Sequence, residues 1–273
     1  MKFWILLMVF VFSFFNIQLV QAATPAGNAT ADAQKVQLLE EGDEEEGEAD
    51  ERPFTADFNN GDCLWANRYY EFEQGHPYFV IEPGWQIVME GVEDDEFIRV
   101  EITVLDEIEI VDGVATRVVE EREFKDGELF EVAHNWFAIC RMTNDIYYFG
   151  EDVDFYEDGV IVDHHGAWRA GVDGASPGIF LPGSPLAGSR YFQEVAPGVA
   201  EDRAEIMGFT DLEIDGELFK RALVLKESSP LSDPGDFSIK HFARGIGNIA
   251  DEELEIVEAG FIFRAPPHYP YKK

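Results

Sequence analysis

From Trp85 onward the chain alternates between apolar and polar positions. Ile98, Val100, Ile102 and Val104 share one parity while Arg99, Glu101 and Thr103 take the other, the period-two signature of a strand with one face buried. Runs of the same kind cover 114–124, 128–140, 188–195, 201–213, 217–227, 236–243 and 253–264. Asp112-Gly113 and Asp126-Gly127 separate the first of these, and Asn144-Asp145, Asp158-Gly159 and Asp215-Gly216 continue the punctuation. Asp-Gly supplies the positive φ angles that a two-residue hairpin turn needs, so neighbouring strands run antiparallel. The pattern predicts an all-β fold: an antiparallel meander forming a half-barrel, barrel or sandwich, with few short helices.

The alternation lapses between Gly171 and Gly188, a stretch with five glycines and three prolines. Long loops on a rigid β scaffold commonly carry binding surfaces. That reading makes Asp173, Ser176, Phe180 and Ser184 candidate ligand contacts; the alternative is a broad arch between two sheets.

The start of the chain has a different character. Met1-Lys2 precedes an apolar block from Phe3 to Phe15, and Val20-Gln21-Ala22 places small residues at the −3 and −1 positions of a cleavage site. Residues 1–22 therefore read as a signal peptide. Thirteen residues at about 1.5 Å each fall short of the roughly 30 Å hydrocarbon core, so a permanent span is not expected, before or after cleavage. No cysteine follows the signal to take a lipid anchor, which points to a secreted or periplasmic product. Residues 23–57 run into Glu40-Glu41-Gly42-Asp43-Glu44-Glu45-Glu46 and read as a disordered acidic linker, because like charges so dense repel and bury nothing. A low-affinity Ca²⁺-binding or surface-binding tail is the alternative. Residues 58–273 remain as a single β-rich domain, and with 46% hydrophobic residues the chain has ample material for a core.

Charge narrows the partners. The chain holds 55 Asp and Glu against 20 Lys and Arg, a net −35; removing Lys2 with the signal leaves 19 minus 55, or −36. Nucleic acid and anionic membrane surfaces repel such a chain. Cations, an unidentified small ligand or an envelope component remain as partners, and a saline habitat is a competing explanation of the charge. The two cysteines, Cys63 and Cys140, suit a single disulfide in an exported protein. Two unpaired thiols or a metal thiolate pair are the alternatives.

Several segments of the central stretch carry a resemblance. They are Asn67-Arg68-Tyr69-Tyr70, Asp112-Gly113-Val114-Ala115-Thr116-Arg117-Val118-Val119, Asn135-Trp136-Phe137-Ala138, Tyr148-Phe149-Gly150-Glu151-Asp152, Trp168-Arg169-Ala170-Gly171-Val172-Asp173-Gly174-Ala175 and Tyr191-Phe192-Gln193-Glu194. Over roughly residues 67–248 the chain resembles a family of exported bacterial β-rich single-domain proteins with no known activity. The resemblance implies a β-rich domain behind a signal peptide or lipid anchor, and it implies no cofactor and no catalytic residue.

Candidate chemistry is sparse. Asp152, Asp154 and Asp158 lie in the densest acidic run of the β domain and offer the oxygen ligands Ca²⁺ prefers. Counting from Asp152, however, the glycine position of an EF-hand loop falls on Glu157. A strand would put Asp152 and Asp154 on one face, and a solvated outer face is the plain account of them. Glu93-Asp94-Asp95-Glu96 is a second acidic cluster, read as the beginning of a strand. His134 shares parity with Val132, Trp136 and Cys140 and so reads as facing the apolar side, where a hydrogen-bonded core histidine is the plain account. With His164 or His165 brought alongside across strands, it would make a Cu or Zn site. No Gly-x-Ser-x-Gly elbow and no Cys–His pair is evident, and Ser176 and Ser184 each precede a proline, which is turn chemistry.

These observations lead to an exported, soluble, acidic β-domain acting as a non-enzymatic binding or envelope-associated protein. Metal binding, through carboxylates to Ca²⁺ or through histidines to Cu or Zn, is the second reading, and an exported hydrolase the third.

Overall fold

Aspartate and glycine turn the chain. Asp112-Gly113, Asp126-Gly127, Asp158-Gly159 and Asp215-Gly216 each hold both residues at positive φ, between 47° and 87°. This is the backbone of the primed hairpin turn, whose twist matches the strands it joins. Asp94-Asp95 adopts it without glycine, at 47° and 69°. Glu93-Asp94-Asp95-Glu96 is therefore a hairpin tip, with Glu93 opposite Glu96, and does not simply begin a strand.

The computed structural model describes residues 61, 63–68, 75–231 and 235–264. The signal segment 1–22 and the linker 23–57 lie outside the described residues. Sixteen strands form one antiparallel sheet. In chain order they are β1 (Trp65–Ala66), β2 (Trp85–Glu93), β3 (Glu96–Val111), β4 (Val114–Lys125), β5 (Glu128–Cys140), β6 (Asp145–Glu157), β7 (Val160–Asp163) and β8 (Trp168–Arg169). They continue as β9 (Ser176–Leu181), β10 (Arg190–Phe192), β11 (Glu194–Val195), β12 (Arg203–Ile214), β13 (Glu217–Ser228), β14 (Ser238–Ala243), β15 (Gly247–Asp251) and β16 (Leu254–Phe261). No α-helix occurs among the described residues, and no helix there is long and apolar enough to cross a membrane.

Two meanders make the sheet. β2 to β6 pair in sequence, β12 to β16 pair in sequence, and β16 joins β2. At the far side β9 pairs with β6 and β11 with β9, while β10 pairs with β12. Only Gln193 separates β10 from β11, so this one stretch brings the two ends of the sheet together into a nearly closed barrel. The Gln193 and Glu194 amides both donate to the Asp202 carbonyl, at 2.8 and 3.3 Å. Close approach matters at this seam, since a Cβ on Gly178 would lie 2.2 Å from the Gln193 carbonyl oxygen.

The strands β6, β7 and β8 add to the runs read in the sequence, the run 188–195 divides into β10 and β11, and two further elements differ for physical reasons. The expected loop from Gly171 to Gly188 contains strand β9, which the closing β11 recruits into the sheet; a strand that short, cut by Pro177 and Gly178, leaves little alternation to read. β15 was likewise invisible, because Gly247-Asn248-Ile249-Ala250-Asp251 is bulged against β14 and buries most of its length.

Irregularities are pinned by specific groups. β3 and β4 slip register between Val104 and Ile108. The fully buried Arg117 spans the slip, donating to the carbonyls of Leu105, Glu107 and Asn67 at 3.3, 3.1 and 3.0 Å. The Cys63–Cys140 disulfide forms, with Cα atoms 5.2 Å apart, and ties the segment before β1 to the end of β5.

Candidate functional site

Antiparallel order fixes how the barrel interior is graded along its axis. Stepping two residues in one axial direction takes β4 from Val119 to Glu121, β5 from Phe137 to Asn135 and β14 from Phe242 to Lys240. All six side chains line one cavity. Each step passes from an apolar group to a polar one, so the interior has an aromatic end and a polar layer. Further in that direction stand Glu123 on β4 and, on β2 and β5, Glu93 and Glu131, all buried.

The aromatic end is built from Phe79, Phe137, Phe180 and Phe242. Phe79 contacts Phe137 and Phe180 with ring centroids 5.1 and 5.3 Å apart, and Phe137 and Phe180 are 5.0 Å apart. Phe79 belongs to a strap, residues 75–84, that crosses this end of the barrel. The strap is held by Asn144 Nδ2 donating to the Gly75 carbonyl at 3.3 Å, by the Gly245 amide donating to the Pro77 carbonyl at 2.8 Å, and by His76. The His76 Nδ1 accepts the Tyr78 amide at 3.2 Å, so its Nε2 carries the proton it donates to the Pro182 carbonyl at 3.1 Å. That tautomer is neutral, and burial pulls the imidazole pKa down to about 4.

Trp85, Ile87, Met89, Ile102, Val104 and Ile246 complete the apolar wall. The cavity measures about 70 Å³, counted as the space open to the centre of a water-sized sphere. One water needs roughly 10–15 Å³ on that measure, so there is room for a slender molecule.

The polar layer is dominated by carboxyls. Lys240 Nζ lies 2.8 Å from Glu227 Oε2 and 3.3 Å from Asp251 Oδ2. Burial alone would lower the Lys240 pKa, but the Asp251 and Glu227 charges outweigh it and raise it, so the ammonium persists. Glu227 also accepts from Gln193 Nε2 at 2.6 Å. Asn135 Oδ1 accepts the Tyr148 hydroxyl at 2.6 Å, and Asn135 Nδ2 donates to the Val119 carbonyl. Behind these stand Glu151, Glu194 and Asp202, each at most 2% exposed. Neither oxygen of Glu151 or Glu194 has a hydrogen-bond partner among the described residues; the Trp168 indole N–H faces Glu194 without closing a bond. Burial, reinforced by their neighbours' charges, raises the pKa of all three. Burial likewise pushes Asp251 up to about 7, Lys240 opposing, and Glu93 up to about 8, with Glu123 reinforcing.

The residues singled out in the sequence fall mostly elsewhere. Of the four loop candidates, Phe180 lines the cavity; Ser176 opens β9, while Asp173 and Ser184 are exposed. His134 sits on the outer face. The parity shared with Trp136 and Cys140 is buried too, since Arg169 covers Trp136 at 4.7 Å, but the cavity belongs to the other parity, Asn135 and Phe137. His134 is half-exposed, opposite Asp152, with Nε2 3.3 Å from Glu120, whose carboxylate raises its pKa. His164 Nδ1 lies 2.7 Å from Asp154. His165 and Asp158 are exposed, the latter in a turn. Asp152, Asp154, His134 and His164 thus form two separate pairs, and no group of three or more His, Cys, Asp or Glu placed to hold a metal ion occurs among the described residues.

Sequence reasoning passed over Glu121, Asn135, Lys240 and Asp251. Their signal was a polar residue standing on the apolar parity of its strand: Lys240 beside Phe242, Asn135 beside Phe137, Glu227 beyond Leu223 and Leu225. No protein-family model, curated protein or solved structure matches the chain.

Proposed function

We propose that this protein is an exported, non-enzymatic binding protein that takes a small, largely apolar molecule into its barrel. The supporting observation is the cavity itself, walled by Phe79, Trp85, Ile87, Val104, Phe137 and Phe242 inside a nearly closed sheet. Closed barrels that leave such space hold a single small ligand. Apolar burial supplies about 0.8 kcal/mol per CH₂. The disulfide and the signal-like first 22 residues support export, as does the resemblance to exported bacterial β-rich proteins.

Titration with the fluorescent apolar probe N-phenyl-1-naphthylamine tests this. Val119→Phe fills the cavity from β4, at an overpacking cost of about 1–3 kcal/mol. The full chain should enhance the probe's fluorescence and the folded variant should not. Equal enhancement by both would place binding outside the barrel and sink the proposal.

A further inference from the structure

We propose that the ligand carries a protonated amine on a short apolar body. The inference rests on the barrel-binding reading above and adds the chemistry of the head group. It starts from the buried polar atoms at the cavity: among the described residues Asp251 Oδ1 and Asn248 Oδ1 have no hydrogen-bond partner, and Asp251 Oδ2 has the Lys240 contact at 3.3 Å. All three are acceptors. Asp251 is 1% exposed, and Lys240, its ion-pair partner among the described residues, lies closer to Glu227. An ammonium offers three donors and no acceptor, matching an unmet set of acceptors; a carboxylate offers only further acceptors.

Charge points the same way. Lys240 is the ammonium of a layer that also holds Glu121, Glu227 and Asp251, with Glu151, Glu194 and Asp202 behind. An anionic head at Lys240 would face the carboxyls of Glu227, Asp251 and Glu121, whose charges already act on that ammonium. A cationic head adds the charge this buried layer is short of, in a medium where charge pairs are weakly screened. The apolar body would lie along the wall toward Phe137 and Phe242, where the aromatic rings gather.

Octylammonium, 1-octanol and octanoate share a chain and differ in the head, so isothermal titration of the full chain at pH 8 isolates the head group. Octylammonium should bind about tenfold more tightly than octanol, and octanoate more weakly than either. Asp251→Asn should bring the amine to within about threefold of the alcohol. Asn248→Ala, which leaves the charges alone, should narrow the gap by less, and serves as the test if Asp251→Asn does not fold. An amine preference that survives both substitutions overturns the inference. So does octanol or octanoate binding as tightly as the amine; if Val119→Phe then blocks all three, the barrel-binding reading stands without the head-group chemistry. Binding of none of the three overturns both.

Discussion

Lys240 on β14 reaches across to Glu227 on β13, Nζ to Oε2 at 2.8 Å, with both side chains almost wholly removed from solvent. Breaking one side of a buried pair leaves the other charge uncompensated, typically at about 3–5 kcal/mol, whereas replacing both by apolar groups is often neutral. Lys240→Met should therefore lower the unfolding free energy by at least the smaller figure. Lys240→Met with Glu227→Leu should recover part of the loss. Urea unfolding of the three proteins measures it, and a double variant less stable than Lys240→Met would refute the pairing as the source.

Stability should depend on pH through the buried carboxyls. Glu93 and Asp251 have folded pKa values near 8 and 7, above those of the unfolded chain. Groups shifted upward contribute stability that is whole below the ordinary carboxylate range and is lost as pH rises through the folded value. The melting temperature should fall between pH 5 and pH 8, and Glu93→Gln should flatten the decline. A melting temperature that climbs steadily from pH 6 to pH 9 would contradict this.

His76 works in the opposite sense. Its pKa is depressed to about 4, so its share of the stability is present above the unfolded value near 6.5 and is lost as pH falls toward 4. Because His76 fastens the strap to Pro182, protection of the 75–84 amides from hydrogen exchange should weaken between pH 6.5 and 4. A strap equally protected at both pH values would disprove the link.

The barrel seam tolerates no side chain at Gly178, where a Cβ would meet the Gln193 carbonyl oxygen at 2.2 Å. Gly178→Ala should cost about 1–3 kcal/mol. Gly260→Ala, with nothing within 4 Å of its Cβ, is the control and should stay within about 0.5 kcal/mol of the parent. Similar losses for both would show that the seam is not tight.

Reduction tests the remaining staple. The Cys63–Cys140 bond closes a separation of 77 residues, which in the chain-entropy model is worth on the order of 4 kcal/mol. Cys63→Ala with Cys140→Ala should lower the urea midpoint accordingly, and an unchanged midpoint would show that the closed loop adds nothing.

Local chemistry was legible in the sequence because it acts over a few residues. Asp112-Gly113 and Asp126-Gly127 dictate hairpin turns wherever they stand, alternation such as Ile98-Val100-Ile102-Val104 dictates strands, and together they determine an antiparallel β fold with its long hairpins. Two cysteines sufficed to suggest the disulfide. What the sequence could not decide was which parity faces the cavity, since β5 buries both of its faces, or that Ser176–Leu181 is a strand, since only its partners β6 and β11 make it one. The site followed from those long-range pairings. Lys240 and Asp251 face each other across the β14–β15 hairpin, but Glu227 stands on β13 and Asn135 on the distant β5, and only strand register and barrel closure bring these groups together and leave acceptors facing an apolar space.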